Sequence, residues 1–174
     1  IRIGYFAQEV PDMDTNQRVI DYIRDVAEYI PTRDGKISAT MMLERFLFDS
    51  AMQYAPIAKL SGGEKRRLYL LKVLMEAPNV LLLDEPSNDL DIPTLTILED
   101  YLDSFAGIVI AVSHDRYFLD NIVDRIFAFE GNGHLTQYEG GYTDYTEALA
   151  RKGGAVSEGQ STAVGAEKKK SAQA

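Results

Sequence analysis

Apolar residues fall into two spacings along this chain. Val80-Leu81-Leu82-Leu83 and Ile108-Val109-Ile110-Ala111-Val112 are unbroken short runs, the pattern of strands buried on both faces. Arg2-Ile3-Gly4-Tyr5-Phe6-Ala7 reads as a further short strand, ending before Gln8, Glu9 and Pro11. Elsewhere the apolar positions recur at three- and four-residue steps. Val19, Ile20, Ile23, Val26, Ala27 and Ile30 predict a helix that Thr15 caps and Pro31 stops. Met41, Met42, Phe46 and Leu47 predict a second helix, capped by Ser38 after a turn at Asp34-Gly35, with this stripe facing inward. The two form an all-helical insert over about residues 12–60. Leu68, Leu71 and Met75 mark a third helix, and Leu95, Leu98, Leu102 and Phe105 a fourth, entered past Pro93 and ended by Gly107. Tyr117, Phe118 and Ile122 suggest a short helix. Two strand-like segments, 125–130 and 135–138, flank Gly131-Asn132-Gly133, a hairpin signal, and Tyr142 and Tyr145 predict a closing helical turn. From about Arg151 to Ala174 large apolar residues are almost absent, so 151–174 is expected to be a disordered linker or tail and 1–150 the folded part.

The order strand, helix, strand over 80–112 implies a βαβ unit with parallel strands and a right-handed crossover. The fold class is therefore α/β: a parallel sheet with a helical insert and a C-terminal β-hairpin. Both buried strands end in polar residues, Asp84-Glu85 and Ser113-His114-Asp115. Pro86 lacks an amide donor and stops the first strand near Glu85. Parallel strands deliver their C-terminal ends to one sheet edge, where open α/β sheets bind ligands. Asp84, Glu85 and His114 thus converge there.

Leu60-Ser61-Gly62-Gly63-Glu64 opens the third helix. Ser61 and Glu64 have capping-box spacing. Glycine in a helix costs roughly 1 kcal/mol against alanine, so two in a first turn need a reason. Without Cβ atoms, an anion can approach the free N–H groups of a helix terminus closely. An ordinary cap is the plain alternative.

Composition narrows this little. The 174 residues carry a net charge of -9, which disfavours wrapping of nucleic acid by the chain as a whole. Cysteine is absent, so disulfides and thiolate metal sites are excluded. No apolar run approaches the roughly 20 residues of a membrane helix, so no membrane insertion is expected. No secretory leader is visible, and the start at Ile1 suggests a piece of a longer protein.

Taken together, these motifs resemble the ATP-binding cassette (ABC) family, a branch of the P-loop NTPases, in the family's order over 1–150. Leu60 to Glu64 is similar to the signature motif, with Glu64 where many members carry Gln. Val80 to Glu85 resembles the Walker B strand plus catalytic glutamate, and Ser87 to Asp91 the D-loop. His114 matches the switch histidine and Gln8 the Q-loop glutamine. Gly-Gly-Glu-Lys-Arg-Arg, Asn-Asp-Leu-Asp and the Gly-Asn-Gly hairpin resemble the ABC-F branch, in particular the second cassette of Uup-type members. These are soluble cytoplasmic ATPases with paired cassettes, many acting on ribosomes.

The resemblance implies ATP and Mg²⁺ as ligands and a second cassette as partner, with the ribosome or a nucleic acid beyond it. It implies that Asp84 and Gln8 serve the metal, that Glu85 and His114 are catalytic, and that Gln8, Ser61, Gly62, Gly63, Glu64 and Asp89 contact nucleotide or line the cassette interface. The family's phosphate-binding loop, Gly-x-x-x-x-Gly-Lys-Ser/Thr, does not occur in the 174 residues. The expectation is an ATPase whose present segment alone is inactive and whose sheet has an exposed edge. The competing classes are the nucleotide-binding subunit of a transporter and a non-catalytic cassette module.

Overall fold

A computed structural model of the chain describes residues 1–32, 35–88 and 90–152. They form two compact units, one running from Ile1 to Phe118 and one beginning at Leu119. The expected tail at 153–174 lies outside the described residues.

The first unit is built on a three-stranded parallel sheet. β1 (Ile3–Phe6), β4 (Val80–Asp84) and β5 (Ile108–Val112) lie in the order β1-β4-β5. The register sets Gly4 beside Leu81, Phe6 beside Leu83 and Asp84 beside Val112. α5 (Ile92–Asp103) connects β4 to β5, as the βαβ reading requires. The Asp91 side chain caps α5, accepting from the Thr94 amide at 2.9 Å, and Pro93 sits in its first turn.

One sheet face is core and the other is open. Gly4, Phe6, Leu81 and Leu83 are buried, whereas Ile3, Tyr5, Ile108, Ile110 and Val112 are exposed. The expectation that both apolar runs are buried on both faces is thus corrected. An unbroken apolar run reports a strand, not what covers it. The covering helix on the core face is α4 (Gly62–Met75), whose Leu68, Leu70, Leu71 and Leu74 are buried. Gly4 is needed there: a Cβ would lie 2.9 Å from Pro78 Cγ and 3.0 Å from Val73 Cγ1.

Between β1 and α4 the insert is not all-helical. α1 (Val19–Arg24) is capped backbone-first at Arg18, not at Thr15, and ends before Val26. Ile30 lies instead in β2 (Tyr29–Thr32), paired antiparallel with β3 (Gly35–Ser38). Ile30, set beside Ile37, buries its side chain from a strand. The apolar period carries through Ile30 by coincidence, while Pro31, which breaks a helix, and Gly35, with φ at 136°, favour the paired strands. Asp34 of the expected turn lies outside the described residues.

Ser38 does cap α2 (Ala39–Arg45), accepting from the Met41 amide at 3.2 Å. Met42 and Phe46 face the core with Leu43, but Met41 and Leu47 are exposed. Leu47 has φ at 63°, and that left-handed step after the helix turns it outward. α3 (Ser50–Tyr54) and a 3₁₀ turn (Ile57–Lys59) complete the insert.

α6 (Arg116–Ile122) ends the first unit and enters the second. The second unit holds the hairpin of β6 (Arg125–Phe129) and β7 (Leu135–Glu139). Gly131, Asn132 and Gly133 all have positive φ, as their tight connection requires. A helix over 142–152, α7, follows. The expected closing turn at Tyr142 and Tyr145 is thus helical, and Tyr145 meets Tyr138 of β7 edge-to-face at 4.9 Å.

Candidate active site

The C-terminal ends of the parallel strands carry the residues that the sequence singled out. β4 ends at Asp84, and Glu85 follows in the left-handed region with φ at 46°. A non-glycine residue held there costs of order 1–3 kcal/mol, so its surroundings must impose it. The Glu85 amide still donates across to Val112 O at 2.8 Å. The bend turns its side chain back toward the end of β5. There Glu85 Oε2 accepts from the His114 amide at 3.2 Å, and Oε1 lies 3.3 Å from His114 Nε2. Glu85 is 8% exposed, whereas the His114 side chain is 96% exposed. A carboxylate pinned in the wall and an imidazole reaching into solvent form one pair.

The loops around them are tied together. Ser87 Oγ and Ser113 Oγ are 3.3 Å apart, and the Asp115 amide donates to Ser113 Oγ at 3.0 Å. Asp115 in turn accepts from the Tyr117 and Phe118 amides, starting α6. On the open side, Tyr5 donates its hydroxyl to Asp84 Oδ2 at 3.1 Å. That bond to a carboxylate raises the Tyr5 pKa above its usual value.

Gln8 follows β1 and is exposed, at the same sheet edge. Its backbone, not its side chain, makes the contacts found here. Arg66 Nη1 donates to Ala7 O and to Gln8 O, each at 2.6 Å.

The α4 terminus is built as its sequence predicts. The Glu64 amide donates to Ser61 Oγ at 3.3 Å, and the Ser61 amide donates to Glu64 Oε2 at 2.7 Å. This reciprocal box holds the Glu64 carboxyl below its ordinary pKa, mainly through the Ser61 amide. Ser61, Gly62 and Gly63 are exposed. A Cβ on Gly62 would meet nothing within 4 Å, so the chain's own packing does not demand glycine there. Beside this terminus is a cleft of about 260 Å³ lined by Ser61, Gly63, Glu64, Arg67, Asp91 and Thr94. Arg67 Nη1 lies 3.5 Å from Asp91 Oδ2 across it. Its cap to Thr94, with Arg67 beside it, keeps the Asp91 carboxyl below its usual pKa.

The structure therefore joins Glu85 to His114 and Asp84 to Tyr5, and assembles Ser61 and Glu64 into the α4 terminus. Asp89 lies outside the described residues. Among the described residues, no group of three or more His, Asp or Glu side chains is gathered to hold a metal ion by itself. Tyr5, Arg66, Arg67 and Tyr69 escaped the sequence reading. Arg66 and Arg67 had a signal: they share the helix face of Leu70, Leu71 and Leu74, one turn on.

No helix among the described residues is long and apolar enough to cross a membrane. The sequence pattern of the ABC transporter family matches residues 1–88. The chain is 59% identical over 153 residues to the ABC transporter ATP-binding protein YfmR of Bacillus subtilis, covering 87% of this chain and 24% of that protein. It is 41% identical to the ATP-binding protein Uup of Haemophilus influenzae, covering 86% of this chain and 23% of Uup. It is 39% identical to the energy-dependent translational throttle protein EttA of the same organism, covering 78% of this chain and 24% of EttA. It thus spans about a quarter of the length of these relatives. Among solved structures, the ATP-binding subunit of an ABC transporter superposes with a TM-score of 0.64 at 16% identity, over 86% of this chain and 62% of that one. The paired acid and imidazole at the ends of parallel strands, the glycine-opened helix and these likenesses agree: the chain belongs to the ABC transporter family, alongside its Uup- and EttA-type (ABC-F) members.

Proposed function

We propose that this chain forms part of a cytoplasmic ABC-F ATPase that sandwiches MgATP between two cassettes and uses hydrolysis to drive a conformational change on the ribosome or on a nucleic acid. The observation that carries the reading is the Glu85–His114 pair, with the carboxylate fixed between the backbone amide and ring of His114 at 3.2 and 3.3 Å. Glu85 orients a water and accepts its proton as the oxygen bonds to the γ-phosphorus; the bond to the bridging oxygen breaks and ADP leaves. General-base catalysis of this kind contributes roughly 10²–10⁴ in rate. His114, extending into solvent, contacts the γ-phosphoryl oxygens and helps to stabilise their charge.

Asp84 offers a hard carboxylate oxygen, and Gln8 an amide oxygen, to Mg²⁺. This fits a cation that takes one or two carboxylates and completes its shell with water and phosphate. Bound there, Mg²⁺ would neutralise phosphate charge. Ser61, Gly62 and Gly63 present hydroxyl and N–H groups to the γ-phosphate of the opposite cassette, with Glu64 holding their turn and Asp89 along the interface. Gly62 supports this role, because its missing Cβ faces open space. The ribosomal side rests on likeness to EttA, named as a translational throttle protein. Residues 1–150 act as part of a nucleotide-binding domain, with 12–60 as its smaller subdomain. The 174 residues by themselves bind ATP weakly, because they include no phosphate-binding loop.

The test is Glu85→Gln in the full-length protein. Nucleotide binding should persist while steady-state hydrolysis falls at least about 100-fold. Turnover within a few-fold of the parent would remove Glu85 from the base role.

A further inference from the structure

We propose that Arg66 is a positioning residue that latches the Gln8 loop to helix α4. The loop at the nucleotide edge and the helix terminus bearing Ser61, Gly62 and Gly63 then move as one piece. The inference rests on the nucleotide-sandwich reading.

Arg66 is 2% exposed in the α4 interior face. An arginine is almost never buried so completely unless it is paired, because desolvating the guanidinium costs several kcal/mol. Here Nη1 bonds two successive carbonyls, Ala7 O and Gln8 O, at 2.6 Å each. The guanidinium carbon also stands 4.1 Å from the centre of the Phe6 ring, the last residue of β1. These contacts, two to backbone carbonyls and one to a core ring, tie Arg66 to residues 6–8 and fix where they run. These partners lie 58 and 59 residues away in sequence, with the whole insert between them.

A second side chain repeats the link less than one turn on. Tyr69 donates its hydroxyl to Tyr5 O at 3.1 Å, receives the Ala7 amide at 3.5 Å, and packs against Phe6 at 5.3 Å. α4 thus grips residues 5–8 at two adjacent points. The N-cap Ser61 lies five residues before Arg66, on the same continuous helix of 14 residues. A shift of the Gln8 backbone therefore drags α4, and with it the N–H groups at its terminus. Charge-assisted bonds of this kind are about twice as strong as neutral ones, which suits a latch that must pull. Lysine would keep the charge without the planar group stacked on Phe6.

The latch acts on coupling between two sites and not on nucleotide contact. In the full-length protein, Arg66→Met keeps bulk over Phe6 but removes the hydrogen bonds to Ala7 O and Gln8 O. Its kcat for MgATP hydrolysis should fall about tenfold, as displaced catalytic groups do, while the Kd of a fluorescent ATP analogue stays within about twofold. Arg66→Lys should recover part of the lost kcat. A kcat within twofold of the parent in a variant that melts like the parent would overturn the latch. So would kcat and affinity falling in equal proportion, which is what general loosening of the fold produces. If Arg66→Met does not fold, the same split is read from Arg66→Lys, whose kcat should fall at least about threefold at unchanged Kd. Glu85→Gln runs in parallel: unimpaired turnover there sinks the hydrolytic roles, whereas an unaltered Arg66→Met beside a stalled Glu85→Gln sinks only the latch.

Discussion

Leu81 and Ile110 sit in adjacent strands of one sheet and live in different surroundings. Leu81 points into the face covered by α4 and is fully buried; Ile110 points from the other face and is 53% exposed. Hydrophobic stabilisation follows area removed from water, not the apolar character of the residue. The covered face therefore holds the unit together, and the open face contributes little in this chain. Parallel sheets are otherwise found with both faces covered. An exposed stripe of Ile3, Tyr5, Ile108, Ile110 and Val112 is thus a surface suited to further packing or prone to association. Leu81→Ala should cost about 2–5 kcal/mol in urea unfolding, and Ile110→Thr no more than about 0.5 kcal/mol, with less aggregation. Equal losses would mean that the open face is covered in solution.

Gly4 offers a smaller probe of the same contrast. It lies on the covered face beside Leu81, where an added Cβ would press on Pro78 and Val73. Gly4→Ala should destabilise by about 1–3 kcal/mol through overpacking, despite alanine's better backbone entropy. A melting temperature equal to or above the parent's would show that α4 can retreat from β1 and that the face is less tightly filled than its geometry states.

The same contrast explains what could be read from the sequence. The strands were legible because Val80–Asp84 and Ile108–Val112 are short and apolar, and the meeting of Glu85 with His114 followed from parallel strands alone. The α4 terminus was legible because a capping box is a local pattern. Burial of one sheet face only was not, since it depends on what lies above the strand. The burial of Arg66 had a local signal in the apolar helix face it shares, but its partners did not: Ala7 O and Gln8 O are backbone atoms that no side-chain pattern announces. In the insert, Ile30 continued a helical period while belonging to a hairpin. The two spacings coincide at that position, and Pro31 and Gly35 are what separate them.

The open face also carries a polar contact with its own pH signature. The Tyr5 hydroxyl donates to Asp84, and this bond, with minor help from desolvation and charge, raises the Tyr5 pKa. A group whose folded pKa exceeds its unfolded value, near 10 for tyrosine, stabilises the fold fully below that value. Its contribution disappears as pH rises through the folded pKa. An alkaline titration followed by tyrosinate absorbance should therefore contain a late-ionising component that Tyr5→Phe removes and Asp84→Asn shifts to lower pH. Because Tyr5 is exposed, the bond competes with water, and the stability change should be smaller than those of Leu81→Ala and Gly4→Ala. Its diagnostic value is positional. An unshifted component in Asp84→Asn would mean that Tyr5 does not face the carboxylate in solution, and that the open side of the sheet is arranged differently from the covered one in more than its burial.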